Sequence, residues 1–275
     1  MGKLVVFWSP WHGQAKVTAN MSAVACLLNN DTKDRVIMSH SQFGMADLEG
    51  MFNYRMRTEK RKTIYENCGL SALVTRVKQS WVTEEIIESC LLPVTGTDNG
   101  LYLLPGTEEH FDALKASDTE ELVFALLGRD IKENYEWLFV DASAGKNNLS
   151  MRLMDVADVV VVNLSQNIAT WDKFGKEYSE LAKKKNTLFV IGGYDDESRY
   201  NKRNLARMYP SFVTGKNLGV IPQNTGLMDA ISDGSVAKFV YSNEGAKKGD
   251  ENYDFITECR KVGNMIRDVA QKGGE

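Results

Sequence analysis

The stretch Leu4-Val5-Val6-Phe7-Trp8-Ser9-Pro10-Trp11-His12-Gly13-Gln14-Ala15-Lys16-Val17-Thr18-Ala19-Asn20 decides how the chain is read. Its first five residues are uniformly apolar, the pattern of a strand buried on both faces. Residues 19–28 are small and mostly apolar, which suits a helix packed closely on a sheet. The loop between them, residues 9–18, lies where an α/β protein can hold an anion. The first turn of the following helix has N–H groups without intrahelical partners, and these favour negative charge.

Working outward, apolar or β-branched runs recur at residues 35–38, 101–104, 137–140, 159–162, 187–191 and 218–221. Segments with helical spacing lie between them, at 119–127 and 171–185. The second ends in Lys183-Lys184-Lys185, favourable at a helix C-terminus. Thr83-Glu84-Glu85-Ile86-Ile87 reads as a capped helix start. Residues 243–252, rich in Gly, Lys and Glu, read as an exposed loop, and the basic run 55–62 reads as solvated surface. Strand and helix alternate from end to end. This predicts an α/β fold, a doubly wound and mostly parallel sheet with helices on both faces, in a single domain spanning 1–275.

Hydrophobic residues make up 43% of the chain and charged residues 25%, enough for a sizeable core. The net charge of −4 argues against nucleic-acid binding by the whole surface and leaves room for a local basic face. The four cysteines, Cys26, Cys68, Cys90 and Cys259, show no CxxC spacing. That argues against a disulfide framework or zinc site, and for reduced, buried thiols in a cytosolic protein. The first apolar run is too short for a signal peptide or anchor, and no stretch reaches membrane-spanning length. Phe255, Ile256, Cys259, Val262, Met265, Ile266 and Val269 mark an amphipathic helix. Its polar face mixes Glu258, Arg260, Lys261, Arg267 and Asp268, which favours packing on the sheet over lying on a membrane.

Thr18-Ala19-Asn20-Met21-Ser22-Ala23, after a loop of this kind, resembles the helix that follows the Walker A loop in ParA/MinD-type P-loop ATPases. Other segments share the resemblance in the family's order. Asp141-Ala142-Ser143-Ala144-Gly145 is similar to the DxPxG motif, where the aspartate serves the water and magnesium network and the loop senses nucleotide. Ala157-Asp158-Val159-Val160-Val161-Val162, Leu103-Leu104-Pro105-Gly106 and Leu218-Gly219-Val220-Ile221-Pro222-Gln223-Asn224 also match. Asp229-Ala230-Ile231 with Gly234 continues the last of these. In the family the residues after that proline contact adenine, which implies Pro222, Gln223 and Asn224 here. Residues 40–90 match poorly. The family's adenine-side asparagine after the strand at 188–191 is replaced by Gly192-Gly193.

The resemblance implies ATP and Mg²⁺ as cofactors, and the loop itself argues against both. The family's loop reads KGGxGKTT. Aligned without gaps, its first lysine falls on Ser9, its glycine pair on Pro10 and Trp11, and its last glycine on Gly13. Its phosphate lysine falls on Gln14 and its metal-binding threonine on Ala15. An uncharged glutamine cannot stabilise charge developing on a γ-phosphate, a loss that lowers rates by orders of magnitude. Pro10 removes one N–H donor. Trp11 either fills the cradle or presents an aromatic to a partner. His12 is a base, a phosphate donor or a plain loop residue. Lys16 either stands in for the lost lysine or faces solvent. Asp141 is the best remaining catalytic-type carboxylate, or else a strand-end hydrogen-bond acceptor. The candidate cofactor-binding residues are therefore Trp11, His12, Gly13, Gln14, Ala15, Lys16, Gly145, Pro222, Gln223 and Asn224, with no metal ligand assigned.

This pattern predicts a degenerate, weakly active or non-hydrolysing scaffold in the cytoplasm, or peripheral at the membrane or cell pole. The resemblance to the TadZ and CpaE branch implies homodimers and a role beside a secretion or pilus ATPase, or a membrane-platform protein, in Tad/Flp-type pilus assembly. The alternative is a slow ATPase of plasmid or chromosome partitioning that uses Lys16 and binds DNA. No GxGxxG follows the first strand, which argues against a nicotinamide-dependent oxidoreductase.

Overall fold

A strand with two apolar faces must be covered on both sides. β1 (Lys3–Trp8) is such a strand: Leu4, Val6 and Trp8 enter one core, and Val5 and Phe7 enter a second on the opposite face. The computed structural model describes residues 2–41, 47–53, 68–79, 81–94, 100–106 and 116–272, with the backbone alone at 116–118. The basic run at 55–62 lies outside them. The other strands are β2 (Val36–His40), β3 (Leu92–Pro93), β4 (Leu101–Leu104), β5 (Trp137–Asp141), β6 (Val159–Leu164), β7 (Thr187–Tyr194) and β8 (Leu218–Pro222). They form one sheet in the order β3-β4-β2-β5-β1-β6-β7-β8. All neighbours are parallel except β3, which runs antiparallel to β4 at the edge. β3 was not legible in the sequence. It has two residues, and its Pro93 suits only an edge strand.

The helices are α1 (Val17–Thr32), α2 (Leu48–Phe52), α3 (Gly69–Val77), α4 (Glu84–Glu88), α5 (Ala116–Ala125), α6 (Asn148–Val156), α7 (Ile168–Glu177), α8 (Ser179–Ala182), α9 (Lys202–Met208), α10 (Thr225–Asp233), α11 (Val236–Ser242) and α12 (Tyr253–Lys272). α1, α2 and α10 to α12 cover the face of Val5 and Phe7, and α3 to α9 cover the other. A π-helical turn, Leu126–Asp130, extends α5.

Thr83 caps α4, accepting the Ile86 N–H, as its sequence suggested. The helix expected over 171–185 is broken. Tyr178 leaves helical geometry (φ −134°, ψ 16°) between α7 and α8, and its ring meets Trp8 edge-on at 4.8 Å. Burying the ring against β1 outweighs one more turn of helix. α12 places Phe255, Ile256, Cys259, Val262 and Ile266 in the core against α1 and β8. Arg260 on its outer side pairs with Asp31 at 2.7 Å. Among the described residues, no helix is long and apolar enough to cross a membrane.

Candidate functional site

β1 and β5 are neighbours, yet the helices that follow them, α1 and α6, pack on opposite faces of the sheet. Their loops part at the carboxyl ends of the strands and leave a crevice, the usual ligand position in open α/β sheets. A cavity of about 340 Å³ lies there, lined by Trp11, His12, Lys16, Thr18, Asp141 and Met228 among others. This is near the small end of ligand pockets, which run from about 300 to 1,000 Å³.

The loop 9–16 is anchored at three points. At its start, the Gly145 N–H donates to the Ser9 carbonyl at 3.0 Å, and the Trp8 indole donates to the Gly145 carbonyl at 3.2 Å. Near its end, buried Ala15 offers its carbonyl to the Asn20 side chain at 2.9 Å, and that amide also donates to Asn163 on β6 at 3.0 Å. Gly192 on β7 makes this approach feasible, since a Cβ there would lie 2.2 Å from the Ala15 oxygen. Gly192 is thus a packing requirement of the loop, at the place where the family has its asparagine nearby. The third anchor is Lys16. It adopts the left-handed conformation (φ 53°, ψ 41°) at the N-cap of α1, which a side chain with a Cβ adopts at a disadvantage of about 1–2 kcal/mol. Its chain passes over Gly193, and its ammonium donates to Gln223 Oε1 and lies 3.8 Å from Met228 Sδ. Partial burial lowers its pKa from the ordinary lysine range.

Asp141, at the end of β5, is fully buried. Its Oδ2 accepts from the Thr18 hydroxyl at 2.5 Å, and its carbonyl accepts from the Ser41 N–H at 3.0 Å. Thr18 was missed as a site residue, because an ungapped alignment puts the family's hydroxyl on Ala15. The available signal was a threonine in the first helical turn facing a strand-end aspartate.

Trp11, His12, Gly13 and Gln14 are exposed at the cavity mouth. Gly13 has φ +71°, and the Lys173 ammonium sits 4.9 Å from the centre of the Trp11 ring. On the far wall, Pro222 ends β8 and Gln223 receives Lys16. Asn224 caps α10 by accepting the Leu227 N–H at 2.7 Å, and it donates to Asn252 at 2.8 Å. Of the predicted site residues, the cavity lining thus holds Trp11, His12, Gly13, Lys16 and Asp141, while Gln223 meets it only through Lys16 and Asn224 is engaged in capping.

These residues do not fit a Mg²⁺-bound triphosphate. Ala15 has no hydroxyl, Thr18 donates its proton to Asp141, and Lys16 reaches towards β8. Asp141 and Asp47 also line the cavity. Among the described residues, no group of three or more His, Cys, Asp or Glu side chains is placed to hold a metal ion. In the exposed acidic turn, Asp195 accepts the Glu197 N–H at 3.0 Å.

No family model matches the sequence, and no curated protein matches it. Solved structures do. A ParA family ATPase from Chlorobium tepidum TLS superposes over 96% of this chain and 99% of its own, with TM-score 0.71 and 12% identity. The fold is that of the ParA/MinD ATPases. The cell division ATPase MinD of Pyrococcus furiosus covers 98% of this chain and 100% of its own, with TM-score 0.69 and 16% identity. A putative plasmid partition protein (BB_S35) of Borrelia burgdorferi B31, bound to AMPPNP, covers 99% of each chain, with TM-score 0.61 and 14% identity. At such identities the ParA/MinD likeness is one of architecture, and the side chains of this crevice carry their own chemistry.

Proposed function

We propose that this ParA/MinD-like chain is a pseudo-ATPase, a scaffold or localisation factor that holds partners without hydrolysing ATP. The observation that carries this reading is Lys16. Its ammonium is engaged by Gln223 and Met228 across from the loop. Two further features support it. Loop 141–145 is tied to the loop at 9–16 through Gly145, Ser9 and Trp8. The hydroxyl nearest the crevice, that of Thr18, is committed to Asp141.

The mouth of the crevice suits association. Trp11 is 38% exposed and Met228 39%, large apolar side chains on one rim. We place a homodimer contact there, with the chain in the cytoplasm or peripheral at the membrane or pole. The TadZ and CpaE resemblance makes a pilus ATPase or its membrane platform the partner in this reading. Calorimetric titration with ATP and Mg²⁺ tests it. Weak or absent binding without turnover is expected, and sub-micromolar binding with phosphate release defeats it.

One observation favours a second reading. Lys16 is strained and lines the cavity, so a change of its backbone to ordinary helical geometry would return its ammonium to the phosphates. The chain would then be a slow partitioning ATPase with ATP-dependent, salt-sensitive DNA binding. Lys16→Ala would abolish nucleotide binding in that case.

A further inference from the structure

Cys68 and Cys90 are far apart in sequence and meet in the fold. Cys68 precedes α3, and Cys90 lies in the turn after α4. The Gly69 N–H donates to the Cys90 carbonyl at 2.7 Å. This hydrogen bond sets the peptide after Cys68 directly against Cys90, and the Cys90 thiol is close enough to act electrostatically on Cys68. Disulfides span about 4.4–6.8 Å between Cα atoms. Arg76 on α3 donates to Cys90 Sγ at 3.2 Å and to the Ser89 hydroxyl, and its charge acts on Cys68 as well. The surroundings fix the pair in place. The Leu70 N–H donates to the Pro105 carbonyl at 2.7 Å, and Gly69, at φ +81°, lies so close that a Cβ would sit 2.8 Å from that same oxygen. The other two cysteines, Cys26 and Cys259, are fully buried in the opposite core.

We propose that Cys68 and Cys90 are a modification site, a reversible disulfide that ties the start of α3 to the turn after α4. The oxidant is a small-molecule disulfide. Cys68 reacts first, since it is 7% exposed and Cys90 is 0% exposed. Its thiolate attacks the small disulfide, forming a mixed disulfide and releasing one small thiol. The Cys90 thiolate, beside the Arg76 guanidinium, then attacks Cys68 Sγ and releases the second. Two protein thiols and one small disulfide become one protein disulfide and two small thiols, so electrons and protons balance. Burial raises both thiols, Cys68 to about 11, with Cys90 and Glu49 raising it further and Arg76 opposing. The exchange is therefore slow at neutral pH and answers sustained oxidation. The staple lies beside Pro105-Gly106, and the Gly106 N–H donates to Glu49, the partner of His40 on β2. His40 in turn pairs in register with Asp141. Oxidation would thus stiffen the wall next to the crevice, whatever nucleotide the crevice does or does not take.

The test incubates the folded full chain with oxidised glutathione, quenches with acid and maps peptides by mass spectrometry. A mass lower by about 2 Da and a Cys68–Cys90 cross-linked peptide are expected. The Cys26→Ser/Cys259→Ser variant should behave the same way, and the thermal midpoint should rise by about 5 °C on oxidation. Arg76→Gln should slow closure of the mixed disulfide about tenfold. A stable glutathione adduct on Cys68, cross-links through Cys26 or Cys259, or thiols fully retained in the folded chain would overturn the proposal. A closure rate unchanged in Arg76→Gln would overturn the part given to Arg76.

Discussion

The loop at residues 9–16 and the wall behind it at residues 218–224 use their polar groups in different ways. The wall formed by residues 9–16 joins β1 to α1 and lines the crevice with Trp11, His12, Gly13 and Lys16. Gly13 turns with positive φ, α1 begins behind it, and Gln14 and Ala15 bring neither a cation nor a hydroxyl. Residues 218–224 lie behind that loop, where Lys16 reaches them, and their polar side chains are held within the protein. Gln223 binds Lys16, and Asn224 binds the start of α10 and Asn252. The lesson is that polar groups around an α/β crevice are available to a ligand only while the protein does not use them. Here both walls are bonded to their own chain.

Changes at four positions would break or sharpen that comparison. The largest effect should come from Gly192→Ala. Its Cβ would overlap the Ala15 carbonyl, forcing the loop off β7 and lowering stability by about 3 kcal/mol, read by urea denaturation. Wild-type stability after this substitution would mean that the loop is not seated on β7.

A buried pair outside both walls gives the next. Burial alone would raise Glu49, but the charge and hydrogen bond of His40 and the Gly106 N–H outweigh it and take Glu49 down to about 2. A depressed carboxylate stabilises the fold above its unfolded pKa and loses that contribution as pH falls. Stability should therefore drop by about 3 kcal/mol between roughly pH 4.5 and pH 2. Glu49→Gln should flatten this acid limb, and an unchanged limb would remove Glu49 as its source.

Thr18→Val keeps the shape and removes a donor from the buried Asp141 carboxylate. It should lower stability by about 2 kcal/mol. A neutral result would show that Thr18 is available for a ligand after all. Lys16→Ala should have the smallest effect, about 0.5 kcal/mol, because its contact with Gln223 is exposed. Thermal-shift assays with ATP and Mg²⁺ should read the same for this variant and the parent. A shift present in the parent and lost in the variant would favour the slow ATPase.

Much of the fold was legible because apolar runs report burial on both faces. Val159-Val160-Val161-Val162 can only be a covered strand, and its order with the other runs fixes a parallel α/β sheet. The edge strand β3 and the break at Tyr178 were not legible. One depends on pairing with β4, and the other on a ring finding Trp8. At the crevice, the uncharged Gln14 and the absence of a hydroxyl at Ala15 could be read directly. The role of Gly192-Gly193 could not, since a missing side chain carries no information until its neighbour is known.

The sequence by itself determined the class of fold, the position of the loop after β1 and the side-chain chemistry that loop carries. These are local properties, set by hydropathy period and by side-chain chemistry. The tertiary structure decided where the remaining polar groups point: Thr18 to Asp141, Lys16 to Gln223, and the Ala15 carbonyl against Gly192. Each of these is a contact between segments distant in the chain. Its energy depends on distances of a few ångströms that no pattern along the sequence encodes.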